Sequence, residues 1–221
     1  QVHRLETSLY GSLALTGKGH GTDKAILNGL EGKRPDTVDP STMVPRMQAI
    51  IEEKTLQLNG AHAIPFDIDN DLCFHQKKTL PKHSNGMRFT VYDIHQKAIL
   101  SQVYYSIGGG FITTAESFGQ DNQAKATTPL PFHSAAELLR LCEDNKFGIA
   151  ELMLENERAF RDTKTIHQGI LHIASIMNQC IDAGCKNTGE LPGGLNVKRR
   201  APELQQKLLQ KSGITTQYEK E

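Results

Sequence analysis

The sequence predicts an α+β fold: an α+β domain with a mostly antiparallel sheet over residues 1–130, then an all-helical segment over 131–221. Three observations carry this expectation. Arg88–Ile94 and Ala98–Ile107 are apolar-rich alternating runs on either side of His95-Gln-Lys, the pattern of a β-hairpin. Helix-period segments lie between such runs in the first part. At Pro129-Leu-Pro-Phe-His-Ser134 the composition shifts, and beyond it the pattern is almost wholly helical; two prolines in one short stretch mark a boundary.

In chain order, Val2–Leu9 reads as a strand, with Val2 and Leu9 apolar and Arg4 and Glu6 charged. A glycine-rich loop follows over 10–23, then a helix over Lys24–Leu30 stopped by Gly32. Pro40–Leu58 reads as one helix, with Met43, Met47, Ile50 and Ile51 on one face and Pro45 early enough to be tolerated. Ala63–Phe66 and Leu72–His75 are short strands. After the hairpin, Gly108-Gly-Gly110 breaks the second strand, and Phe111–Thr113 resumes it after a bulge. Downstream, Ser134-Ala-Ala-Glu137 is a capping box. Helices are expected over Ile149–Arg161, over Lys164–Ala183 with Gly184 closing it, and from Pro202. The last residues, from Ser212, carry little apolar content and read as a frayed end.

Composition excludes several functions. Lys plus Arg and Asp plus Glu each number 25, and aromatic residues make up 6%, so no basic or stacking surface for nucleic acid is implied. No apolar run approaches the roughly 18 residues of a membrane span. The start, Gln1-Val-His-Arg, has neither initiator Met nor signal-peptide core, so the expectation is a cytoplasmic chain that begins inside a longer protein. Cys73, Cys142, Cys180 and Cys185 fit neither a zinc ribbon nor a cluster-binding run and read as free, mostly buried thiols.

The chemistry concentrates in Tyr10-Gly-Ser-Leu-Ala-Leu-Thr-Gly-Lys-Gly-His-Gly-Thr-Asp23. Glycines let a backbone approach a small ligand, a helix N-terminus favours an anion, Lys18 adds a cation, and His20 adds a group able to move protons near neutrality. The spacing is neither a P-loop nor a dinucleotide fingerprint. A glycine-rich turn that binds nothing remains the alternative reading.

This stretch resembles the signature of the bacterial iron–sulfur L-serine dehydratases (L-serine ammonia-lyases). Three further stretches agree in order: Pro81-Lys-His-Ser-Asn-Gly-Met-Arg88, Tyr104-Tyr-Ser-Ile-Gly-Gly-Gly-Phe111 and Leu191-Pro-Gly-Gly-Leu-Asn-Val-Lys-Arg-Arg-Ala201. The resemblance implies a lyase that turns L-serine into pyruvate and ammonia, with a 4Fe-4S cluster as Lewis acid. It implies His20 as the proton-abstracting base and His83 as a second base or relay, with Lys18, Gly19, Ser84, Asn85, Gly108 and Gly109 as substrate-binding residues. The lysines near the two histidines, Lys18 and Lys82, are expected to favour the neutral imidazole. The cluster ligands are expected C-terminal to these residues, and none of the four cysteines matches them. The chain then covers most of the β-chain domain and the start of the α-chain domain. The partners the resemblance implies are L-serine, the remainder of the catalytic domain and a second copy in a homodimer. These residues alone are expected to be inactive.

Other readings stay open. The first domain could sense serine without donating catalytic groups. Gly108–Gly110 is either a ligand-contacting bulge or a bend that lets the sheet curl. Lys198, Arg199 and Arg200 face either a cleft or, preferred, solvent. His167 and His172 are five apart and read as structural; His3, His62, His75, His95 and His133 match no motif. A zinc hydrolase lacks the His-x3-His spacing it would need.

Overall fold

A computed structural model describes residues 1–120, 127–191 and 195–212. The described residues divide into two compact units, one over residues 1–120 joined by 195–196, and a helical one over 127–191 and 197–212. The mixed α+β class expected from the sequence is what the structure has.

In the first unit, β1 (Arg4–Tyr10) leads directly into a short helix, α1 (Gly11–Thr16), then a turn over 17–21 and α2 (Thr22–Leu30). The loop expected over 10–23 is therefore mostly helix. Ser12-Leu-Ala-Leu15 are adequate helix formers, and Ala14 is 2% exposed in the core. Glycine freedom is needed at the two ends of this segment. Gly11 has φ +54° where strand becomes helix, and Gly21 has φ +71° where α2 begins. Gly17 is right-handed.

The helix expected over Pro40–Leu58 ends early. α3 (Pro40–Glu53) stops at Lys54, which adopts φ +49°, and β2 (Thr55–Leu58) pairs antiparallel with β3 (His62–Pro65). Asn59 and Gly60, both at positive φ, turn the chain between them. Pro45 is the sixth residue of α3, past the first turn. A four-residue helix, α4 (Ile68–Asp71), precedes β4 (Leu72–His75).

β5 (Asn85–Tyr92) and β6 (Ala98–Gly108) form the expected hairpin, followed by β7 (Phe111–Thr114). Here a second correction applies. Gly108, Gly109 and Gly110 all have positive φ and reverse the chain, so β7 runs back antiparallel beside β6 instead of prolonging it. Three consecutive left-handed residues are a conformation that glycine alone adopts readily.

The sheet order is β4-β1-β5-β6-β7, with only the β1–β4 ladder parallel. On β1, Leu5 and Leu9 point to the core with Ala14, Ile26, Leu27, Ile50, Leu56, Ile64, Phe66 and Leu72. The alternate residues Arg4, Glu6, Ser8 and Tyr10 lie on the opposite, polar face.

The second unit carries α5 (Ala135–Asn145), α6 (Ile149–Glu157), α7 (Thr163–Lys186) and α8 (Ala201–Ser212). Ser134 Oγ accepts the Glu137 N–H, and Glu137 returns to the His133 N–H, close to the box read from the sequence. α7 runs through Gly184 instead of ending there. Most of its apolar stripe is exposed, including Ile170, Ile173 and Met177. The expected frayed end beyond 212 lies outside the described residues.

Candidate functional site

Three of the four motifs meet at one end of the five-stranded sheet. Register aligns His75 with Tyr10, Tyr10 with Gly86, Gly86 with Tyr105 and Tyr105 with Thr113, so one row crosses every strand. Tyr10, Gly86 and Tyr105 come from the first, second and third motifs. The fourth motif belongs in part to residues outside those described, and its Lys198 bridges to Glu190.

The row is packed on its polar face. His75 stacks on Tyr10 with ring centroids 5.0 Å apart, and the Arg88 guanidinium sits 5.6 Å over the same ring. A side chain at Gly86 would press on Leu80 at 2.7 Å. Tyr105 meets Phe118 edge-on at 5.3 Å, and Phe118 meets the His83 ring at 6.2 Å.

The second motif is laced to the start of α1. Ser12 N–H donates to the Ser84 carbonyl at 3.0 Å, Gly11 N–H donates to Lys78 O at 2.8 Å, and Gly11 bridges to Asn85. A Cβ on Gly11 would collide with the Ser84 carbonyl oxygen. Glycine is thus dictated here by close approach as well as by φ.

The two candidate histidines hold opposite tautomers. His20 Nδ1 lies 3.0 Å from the Thr16 carbonyl, which can only accept, so in the neutral ring Nδ1 carries the proton and the exposed Nε2 is bare. At His83 the Asn85 N–H donates to Nδ1 at 3.0 Å, so in the neutral ring Nε2 carries the proton. In the neutral rings His20 thus presents an acceptor nitrogen and His83 an N–H.

They are not in contact. His83 stands by the first residues of α1 and His20 is bonded to its last, about 9 Å of helix apart. Lys18 extends over the Phe74 ring at 5.3 Å, and Lys82 donates to the Ala115 carbonyl at 2.5 Å. Gly19 is exposed in the turn. Ser84 is exposed and bonds through its carbonyl, and Asn85 is half-buried at the start of β5. Gly108 and Gly109 form the β6–β7 turn at this same end of the sheet.

Sequence reasoning missed a network on the polar face. Ser8, 3% exposed, donates to Glu6 Oε1 at 3.1 Å, and its oxygen lies 3.2 Å from His75 Nε2. Tyr92 and Arg4 close on the other Glu6 oxygen at 3.5 and 3.4 Å. The available signal was the period-2 polar series Arg4, Glu6, Ser8, Tyr10 within a strand whose other side is apolar.

An iron–sulfur cluster needs converging thiolates. Cys142 is buried, Cys73 and Cys185 are half-buried, and Cys180 is exposed, so the cysteines are not mostly buried. Burial, with Glu6 and Asp71 nearby, pushes the Cys73 thiol up, against thiolate formation. Among the described residues no three His, Cys, Asp or Glu side chains converge as metal ligands. These residues do not fit such a cluster. No helix among them is long and apolar enough to cross a membrane.

A family profile described as "Serine dehydratase beta chain" matches residues 1–117. The chain is 44% identical over 209 residues to an L-serine dehydratase of Streptomyces coelicolor, covering 94% of this chain and 46% of that protein. Similarity to L-serine dehydratase 1 of Escherichia coli is 42% with the same coverage of each. A Helicobacter pylori L-serine dehydratase is 34% identical, again over 94% of this chain and 46% of the relative. The chain spans just under half the length of the curated relatives it matches.

Proposed function

We propose that this chain, which belongs to the serine dehydratase beta chain family, supplies the proton-handling part of an L-serine ammonia-lyase that forms pyruvate and ammonia. The reaction removes a weakly acidic α-proton and a poor leaving group, hydroxide. It therefore needs a base at the α-carbon and electrophilic help at the hydroxyl.

One observation carries the reading: the complementary tautomers of His20 and His83. A bare, exposed Nε2 suits His20 to abstract the α-proton. An Nε2–H suits His83 to hydrogen-bond the substrate or relay a proton. Lys18 is suited to the carboxylate, and Gly19, Ser84, Asn85, Gly108 and Gly109 complete the candidate contacts.

The 4Fe-4S cluster implied by the resemblance takes no ligand set from these residues, and its ligands belong elsewhere in the dehydratase polypeptide. A cytoplasmic homodimer is part of the same reading and rests on the resemblance alone. The 221 residues by themselves are expected to have no dehydratase activity. Finding turnover in this purified chain would contradict that.

A second reading has its own support. The two histidines lie at opposite ends of α1, an arrangement also suited to a serine-sensing module without catalytic groups. Steady-state kinetics of His20→Ala in the complete dehydratase separates the two. A fall in kcat at saturating serine supports catalysis; an unchanged maximal rate with altered cooperativity supports sensing.

A further inference from the structure

The two units differ in how much apolar surface they enclose. The first buries Leu9, Leu27, Ile50 and Leu56 completely against its sheet and helices. Among the described residues of the helical unit, the buried apolar side chains are Cys142, Leu152 and Ile166. Ordering helices costs conformational entropy that apolar burial has to offset, and so small an interior does not offset it.

α7 concentrates the deficit. Ile166, Ile170, Ile173, Met177 and Cys180 recur at alternating spacings of four and three, the pattern by which one helix seats against another. At about 3.6 residues per turn, Ile176, Ile173, Ile166, Met177, Ile170 and Ile181 span an arc of roughly 140°. Ile166 is buried, and the others are 43–61% exposed.

Charge indicates what covers this face. Residues 165–181 hold no Asp, Glu, Lys or Arg on any side of the helix. A helix that pairs with its own copy along one heptad seam keeps charged residues beside the seam. A helix enclosed by neighbours of its own domain does not need them. The relatives have chain enough to supply such neighbours: each matches 94% of this chain with 46% of its own length, so more than half of its polypeptide lies outside the match.

We propose that the apolar face of α7 seats against an uncharged, apolar helix from the part of the dehydratase polypeptide that these 221 residues do not include. The helical unit completes its core only there. The assignment rests on family membership and is independent of the histidine chemistry proposed above.

Cys180, exposed within this face, is a built-in reporter. Iodoacetamide labelling with peptide mapping compares the 221-residue chain with the complete dehydratase. Cys180 is expected to react readily in the first and at least about tenfold more slowly in the second. In the complete protein, Ile173→Asp is expected to restore the labelling, whereas Ser175→Asp, on the opposite side of the same helix, leaves it slow. Equal labelling of Cys180 in the two wild-type proteins, or equal effects of the two substitutions, overturns the proposal. Protection that arises in the 221-residue chain alone and grows with its concentration assigns the face to a second copy and overturns it as well. Turnover is not the readout, so loss of the serine chemistry would leave this result standing.

Discussion

The Asn85 main-chain N–H donates to His83 Nδ1 at 3.0 Å, while His20 Nδ1 donates to the Thr16 carbonyl at the same distance. Two imidazoles in one motif-bearing region thereby hold opposite neutral tautomers. One presents a bare nitrogen and the other an N–H, so the two residues are expected to do different work in one reaction.

In the complete dehydratase, His20→Ala is expected to lower kcat/KM by about 10²–10⁴-fold. His83→Ala is expected to lower kcat/KM as well. Steady-state kinetics checks both; an unchanged kcat/KM in either variant removes that residue from proton transfer.

Gly11 adopts φ +54° against the Ser84 carbonyl. Gly11→Ala is expected to destabilise the first unit by about 2–3 kcal/mol, through strain and collision together. Gly29, exposed in α2 with open space around it, is the internal control. Gly29→Ala is expected to stabilise by about 0.5–1 kcal/mol. Urea unfolding of the two variants measures the contrast, and equal effects would show the Ser84 approach to be inconsequential.

Arg46 holds Glu31 with two 2.7 Å hydrogen bonds, and the Gln57 N–H adds a third at 3.1 Å. Burial pushes the Glu31 carboxyl up, but these hydrogen bonds outweigh it and hold the group below its ordinary 4.5. A carboxyl lowered in the folded state contributes its full stability above the unfolded value. The contribution is lost as pH falls through the folded value. Acid destabilisation below about pH 4.5 is therefore expected to be shallower in Glu31→Gln. At pH 7, Arg46→Ala should cost about 2–3 kcal/mol, the buried-pair figure reduced for partial exposure. Thermal melts at pH 7 and pH 3.5 (about one unit below the ordinary value) test both statements.

Thr7 sits fully buried on the core side of β1, and its hydroxyl has no partner among the described residues. Thr7→Val keeps the β-branched shape and removes an unsatisfied group. The expected gain is about 1 kcal/mol, seen as a melting temperature a few degrees higher. A loss of stability would mean the hydroxyl has a partner after all.

Elements governed by local pattern were legible. The β5–β6 hairpin announces itself through alternating Phe89, Val91 and Val103, and α5 through its Ser134 cap. Where two local signals competed, the reading failed. Met47, Ile50 and Ile51 set a helical period that was carried through Thr55–Leu58, although Asn59-Gly60 was a turn signal waiting to be used. Glycines on either side of Ser12-Leu-Ala-Leu15 disguised α1 as loop.

The amino-acid order by itself determined the mixed fold class, the change to helix after Pro129 and the motif segments with His20 and His83, because periodicity, caps and motifs are written along a short length of chain. Only the tertiary structure decided that Tyr10, Gly86 and Tyr105 share one row, that Ser84 seats on Gly11, and that His75 joins Ser8 and Glu6. Strand register and the orientation of a half-buried imidazole depend on residues tens of positions away. They are settled when the apolar face of β1 turns inward and leaves its polar face to be satisfied by whatever the neighbouring strands bring.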